Sequence, residues 1–201
     1  MGARGPQPSL TVERIVAAAM AVLDSGEAVS VRAVAARLDV QPNTIYTYLP
    51  DRAALHTAVA DRLLALAGPE LLTGRRAGRR RIKDYAVALR TVLLERRGAI
   101  TLFHSAPLSG PYARTISELL LGTFTRAGLS DQDAVRAAQS VIAYVLGAIA
   151  LSTVNTCADA RPGAPLAAVP EPTPIAAQFH ATWDSEEQFC WGLDRLLDGL
   201  V

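Results

Sequence analysis

A chain of 201 residues, 50% apolar and 19% charged, has room for one small head and one body domain and excludes a third unit. Its formal net charge of +1 gives no overall basic excess of the kind that announces nucleic-acid binding, and two cysteines outside any CxxC pair suit a reducing compartment better than a disulfide scaffold. The longest nearly unbroken apolar run, 141–154, is shorter than the roughly 18 residues a membrane span needs, and the leader 1–6 lacks a secretory signal's apolar core, so a cytoplasmic location without membrane contact is expected.

Thr11 can cap a first helix with Glu13 in its first turn, and Ile15, Ala18, Ala19, Val22 and Leu23 recur at helical spacing until Gly26 offers a left-handed stop. Ser30 caps a second, short helix buried through Val31, Val34, Ala35 and Leu38 and broken at Asp39. Pro42 suits the first position of a third helix, where its missing N–H costs nothing; Ile45 and Leu49 share one face and Pro50 ends it. Asp51 caps a fourth helix whose stripe of Leu55, Val59, Leu63 and Leu66 runs to Gly68-Pro69.

The run Gly74-Arg75-Arg76-Ala77-Gly78-Arg79-Arg80-Arg81 reads as an exposed basic loop joining head to body, either solvated or a second phosphate contact. Helices are expected over about 82–97, 100–104, 111–127 and 131–156, with Ser130 and Asp133 as a capping box for the longest. Five prolines between 161 and 174 exclude a continuous helix. Ser185 and Gln188 form a second capping box, opening a final helix through Phe189, Leu193, Leu196, Leu197 and Leu200. No strand pattern or internal repeat is present, so the fold class is all-α.

Two short helices, 31–38 and 42–48, joined by about three residues and braced by a preceding helix, have the dimensions of a helix-turn-helix, which generic helical hairpins share. The third helix sharpens the reading. Its Gln41, Asn43, Thr44, Tyr46, Thr47 and Tyr48 form an uncharged hydrogen-bonding surface around one buried stripe, suited to base edges and phosphates. From residue 1 to 66 six arginines face six acids, so phosphate neutralisation is weak and the salt dependence of DNA affinity is expected to be shallow.

At Ile15-Val16-Ala17-Ala18-Ala19, at 31–40 and at 44–55 the sequence resembles the tetracycline-repressor (TetR) family of bacterial regulators. A weaker match at Arg97-Gly98-Ala99, Gly128-Leu129-Ser130, Tyr144-Val145-Leu146-Gly147 and 189–200 resembles the C-terminal domain of the tetracycline-repressor branch. The resemblance implies a three-helix helix-turn-helix head over 1–52, a connecting helix over 53–72 and a helical ligand-binding and dimerisation body over 73–201. It implies that Pro42, Asn43 and Thr44 enter the major groove, that Tyr46 and Arg52 grip phosphates, and that Ser30 and Arg32 contact the flanking backbone or a base edge; Gln41 and Tyr48 complete the candidate face.

The same resemblance implies a homodimer through helices near 131–156 and 186–200, reading a palindrome in double-stranded operator DNA, and a small-molecule effector. Asp39 and Arg52 stand where the family often has Gly and Lys. Asp tolerates a left-handed turn better than most residues, and Arg keeps the charge.

Effector contacts are expected among Asp84, Tyr85, Phe103, His104, Tyr112, Gln139, Asn155 and Trp183, as anchors in a mainly apolar cavity. Each is equally compatible with a core or surface role. Tetracycline-binding members hold a magnesium–drug chelate with a His and a Glu; the matched positions here are Leu102 and Leu151, which cannot ligate a metal. No metal or cofactor is therefore expected, and the effector is expected to be apolar or amphipathic. Two rival readings remain: an enzyme, against which His56, His104 and His180 are scattered and no HExxH, GxSxG or P-loop occurs, and a helical interaction module, which the neutral head favours.

Overall fold

The computed structural model describes residues 9–158, 173 and 185–200, and among them the chain is helical with no strand. The head begins with α1, Val12–Asp24, whose cap Thr11 accepts a hydrogen bond from Arg14 N at 3.3 Å. Helix α2, Val31–Leu38, is capped by Ser30 Oγ, which accepts from Ala33 N at 3.1 Å. It stops at Asp39, which takes φ 55° and ψ 46°, the one non-glycine positive φ among the described residues. The left-handed turn expected there thus forms with Asp in the glycine position.

Helix α3, Pro42–Tyr46, is shorter than the 42–48 expected: Thr47 and Tyr48 form a closing turn in which Tyr48 N and Leu49 N both donate to Ile45 O at 3.0 Å. Pro50 forbids further helix at the residue before it, so the turn tightens instead. Ile15, Leu23, Val34, Ile45 and Leu55 are fully buried and form the head's core.

Helix α4, Arg52–Leu66, is capped by Asp51 Oδ1, which accepts from Ala54 N at 2.7 Å. Its buried surface is broader than the single stripe predicted, because the head covers one side and the body another. His56, Ala60 and Leu64 are buried alongside Leu55, Val59 and Leu63, while Leu66 is exposed.

After a short 3-10 turn, Pro69–Leu72, helix α5 runs over Gly78–Leu94, four residues ahead of its predicted start. The second half of the basic run, 78–81, is therefore helix, while 74–77 remains loop. Arginines in a first helical turn oppose the helix dipole, and here acids from the chain's far end compensate. Arg79 pairs with Asp198 and donates to Asp194 O at 2.9 Å, Lys83 Nζ donates to Asp194 Oδ2 at 2.7 Å, and Arg81 donates to Leu72 O at 2.7 Å.

The body continues with α6, Ala99–Ser105, α7, Pro111–Arg126, α8, Asp131–Ala158, and α9, Glu186–Asp198. The N-cap half of each expected box forms: Asp133 N donates to Ser130 Oγ at 3.2 Å, and Gln188 N to Ser185 Oγ at 3.0 Å. Over Asp131–Ser152, α8 is long and apolar enough to cross a membrane by length and composition, which the shorter run 141–154 does not suggest. It packs on α5, α6, α7 and α9 through Ala134, Ala137, Val141, Val145 and Ile149. Trp183 and, apart from residue 173, the proline-bearing stretch 161–174 lie outside the described residues, as does the side chain of Asn155 on α8.

Candidate nucleic-acid interface and effector cavity

The turn at Asp39 and the proline at the start of α3 fix how that helix leaves the head. Ile45, fully buried, and Leu49 hold it from behind; Gln41, Asn43, Thr44, Tyr46 and Tyr48 are exposed and Pro42 is half-buried. Tyr46 retains 44% and Tyr48 40% of its surface in water, too much for core aromatics. Ser30 is half-buried with its oxygen engaged as the α2 cap, leaving its hydroxyl proton to donate. Arg32 is exposed beside it. Exposed Arg52 directs Nε toward His56 Nε2 at 3.4 Å, a weak contact that leaves most of its fork unengaged.

Behind the head, a cavity of about 220 Å³ opens between α4, α5, α7 and α8. Leu64 of α4 forms one wall; Ile82, Tyr85, Ala86 and Leu89 of α5, Ile116, Ser117 and Leu120 of α7, and Val141, Ile142, Val145 and Leu146 of α8 form the others. Ala113 of α7, Phe103 of α6 and Leu108 of the following turn also line it, and among the described residues the lining contains no charged side chain. Leu108 is also 42% exposed and marks the mouth. Tyr85 Oη donates to Leu64 O at 3.2 Å, and burial, with Asp61 and Glu70 adding to it, pushes its phenol well above the usual range, so it stays protonated.

Of the effector contacts expected from sequence, the structure brings Tyr85 and Phe103 to this cavity. Asp84 lies on the outer face of α5, paired with Arg76 and Arg80 at 2.9 Å each. His104 is exposed with Nδ1 2.9 Å from Ile100 O, and Gln139 is exposed on α8. Tyr112, 42% exposed, lines a separate open groove between α1, α4 and the start of α7. Neither Leu102, buried on the head side with Leu23 and His56, nor the exposed Leu151 faces the cavity. The aliphatic walls are what sequence reasoning missed; the stripe Ile82, Tyr85, Ala86 and Leu89 on α5 was the available signal.

Two further residues tie α4 to its surroundings, His56 to both head and body and Asp61 to the body. His56 is buried, with Nδ1 2.9 Å from Ser105 Oγ of α6 and Nε2 3.2 Å from Val29 O in the α1–α2 loop. Asp61 Oδ1 accepts from Ala113 N at 3.0 Å, capping α7 where Gly110 offers no side chain. Helix α4 is thus in contact with the cavity, α6, α7 and the α1–α2 loop at once. Among the described residues no group of three or more His, Cys, Asp or Glu is placed to hold a metal.

Residues 73–201 match the tetracyclin repressor-like C-terminal domain. The chain is 29% identical to the HTH-type transcriptional repressor DrrR1 of Streptomyces coeruleorubidus, across 98% of this chain and 79% of that protein. It is 27% identical to the class D tetracycline repressor protein of Escherichia coli, across 94% and 88%. A possible TetR family transcriptional regulator of Streptomyces coelicolor A3(2), solved by crystallography, superimposes with a TM-score of 0.78 at 27% identity, covering 94% of this chain and 97% of that one.

Proposed function

This chain belongs to the TetR family of DNA-binding transcriptional regulators, and from that membership we propose that it is a homodimeric repressor released from a palindromic operator by a small apolar or amphipathic effector. Regulators of this family are often ligand-responsive repressors. The observation that carries the proposal is the outward face of α3: exposed amide and hydroxyl groups on a five-residue helix pinned from behind by Ile45 and Leu49. Asn43 and Thr44 read base edges with Pro42 and Gln41 beside them, Tyr46, Tyr48 and Arg52 hold phosphates, and Ser30 and Arg32 position α2 on the backbone.

The head over 1–52 is carried on the connecting segment 53–72, and the body over 73–201 pairs with a second copy through α8 and α9. In support, those helices expose Val135, Leu151 and Trp191, the last 60% exposed, apolar surface that a second copy would cover. Two heads then meet half-sites about 34–36 Å apart. An effector that fits only one arrangement of the cavity shifts α4 through Leu64, which changes head separation and weakens operator binding; a coupling of ~1–3 kcal/mol corresponds to several-fold to a hundredfold or more.

An electrophoretic shift with DNA from upstream of its own gene tests the reading. The full-length protein is expected to retard that fragment in preference to unrelated DNA, and Tyr46→Phe to weaken the complex while leaving the melting temperature unchanged. Equal retardation of both fragments would refute a sequence-specific repressor.

A further inference from the structure

The cavity's chemistry restricts the effector more narrowly than its apolar walls alone. Among the described residues two side-chain hydroxyls line it, from Tyr85 and Ser117. Tyr85 Oη lies 3.2 Å from Leu64 O and Ser117 Oγ 2.9 Å from Ala113 O, and a carbonyl oxygen can only accept, so both protons point into the main chain. The Tyr85 bond has a structural reason. Gly68 N, which would serve Leu64 O in a continuing helix, turns to Ala65 O as α4 ends, and the phenol supplies a donor to Leu64 O. What the two hydroxyls offer a ligand is lone pairs only.

Resting on the reading of this cavity as the effector site, we propose that the effector is an uncharged molecule of one or two rings carrying a hydroxyl or N–H donor for Tyr85 Oη and Ser117 Oγ. An acceptor-only group meets lone pairs, and a carboxylate meets them with a charge that no lining residue among those described neutralises. A metal chelate finds no His, Cys, Asp or Glu in the walls among the described residues. The size follows from volume: about 220 Å³ lies between the ~150 Å³ apolar cavity that accepts benzene and the ~300 Å³ lower end of drug-sized sites.

Calorimetric titration of the full-length protein with 2-naphthol, 2-methoxynaphthalene and 2-naphthoate at pH 7 tests this. The three share a ring system and present a neutral donor, a neutral acceptor and a charged acceptor. Expected is 2-naphthol bound about five-fold tighter than the ether, the effect of one net hydrogen bond, and 2-naphthoate about a hundredfold weaker or more. In Tyr85→Phe/Ser117→Ala the naphthol-to-ether ratio falls to about one. The wild-type order stands without the variant should the latter not fold.

Naphthoate binding as well as naphthol, the ether matching it, or no saturable binding of either neutral probe would overturn the proposal. Operator binding, measured separately without probe, keeps the two readings apart. A reversed probe order with intact DNA binding rejects the cavity chemistry alone. The expected order without DNA binding upholds the cavity chemistry and rejects the repressor.

Discussion

Asp39 is the point where local backbone energetics and the DNA-facing geometry meet. At φ 55° and ψ 46° it turns the chain from α2 toward α3. An ordinary L-residue in that region costs roughly 1–2 kcal/mol, and the several-fold enrichment of Asn and Asp there corresponds to about 1 kcal/mol of relief. Asp39→Ala therefore bears the whole cost and is expected to lose about 1 kcal/mol. Asp39→Asn keeps the relief and stays within ~0.3 kcal/mol of the parent. Asp39→Gly removes the strain but loses about 0.4–1 kcal/mol through the freer unfolded chain, ending within ~0.5 kcal/mol.

All three substitutions remove one exposed negative charge next to α3, so each is expected to tighten operator binding wherever the head stays folded. Urea unfolding at one fixed protomer concentration, followed by helical signal, reads the stability order, and fluorescence anisotropy on labelled operator reads the affinity. If Asp39→Ala proves as stable as the Asn and Gly variants, the turn does not hold residue 39 in the left-handed region, and the derived orientation of α3 is wrong.

Three further outcomes follow from single contacts and charges. Asp61→Ala removes the side-chain acceptor for Ala113 N and should destabilise by ~1–2 kcal/mol in the same urea assay, whereas a loss under ~0.3 kcal/mol would mean that water caps α7 equally well. The Lys83 hydrogen bond, with Arg79 adding to it, holds Asp194 below its ordinary value of 3.8, so this pairing stabilises the fold above that pH and is lost as pH falls through the lowered value. Melting temperatures followed downward from about pH 5 should accordingly fall less steeply for Asp194→Asn than for the parent; parallel curves would remove the α5–α9 pairing from the account. Because the head's arginines and acids balance, operator affinity should fall with salt on a slope well below that of about ten released ions, and a slope near ten would contradict this.

The head was legible because its determinants are local. Thr11, Ser30 and Asp51 cap helices within three residues of themselves, Pro42 occupies a first helical position, and Asp39 needs only its own backbone. The start of α5 was not, because what turns Arg79 from a loop charge into a helix partner is Asp198, with Asp194 holding Lys83 a turn further on, over a hundred residues away. The cavity was hidden for a different reason. Polar residues such as Asp84, His104 and Gln139 attract attention as anchors, yet each satisfies itself in water or with a neighbour. The actual walls are aliphatic residues indistinguishable in sequence from solid core. Among the described residues, Tyr85 and Phe103 belonged to both descriptions.

The claim on which the rest depends is that α3 reads bases. Anisotropy titrations of the full-length protein and of Asn43→Ala/Thr44→Ala, each on operator and on scrambled DNA of equal length, measure this through the ratio of the two affinities. The account predicts that the double variant keeps its melting temperature and its affinity for scrambled DNA but loses tenfold or more on the operator, since each good base contact contributes ~1–3 kcal/mol. An unchanged ratio would contradict it.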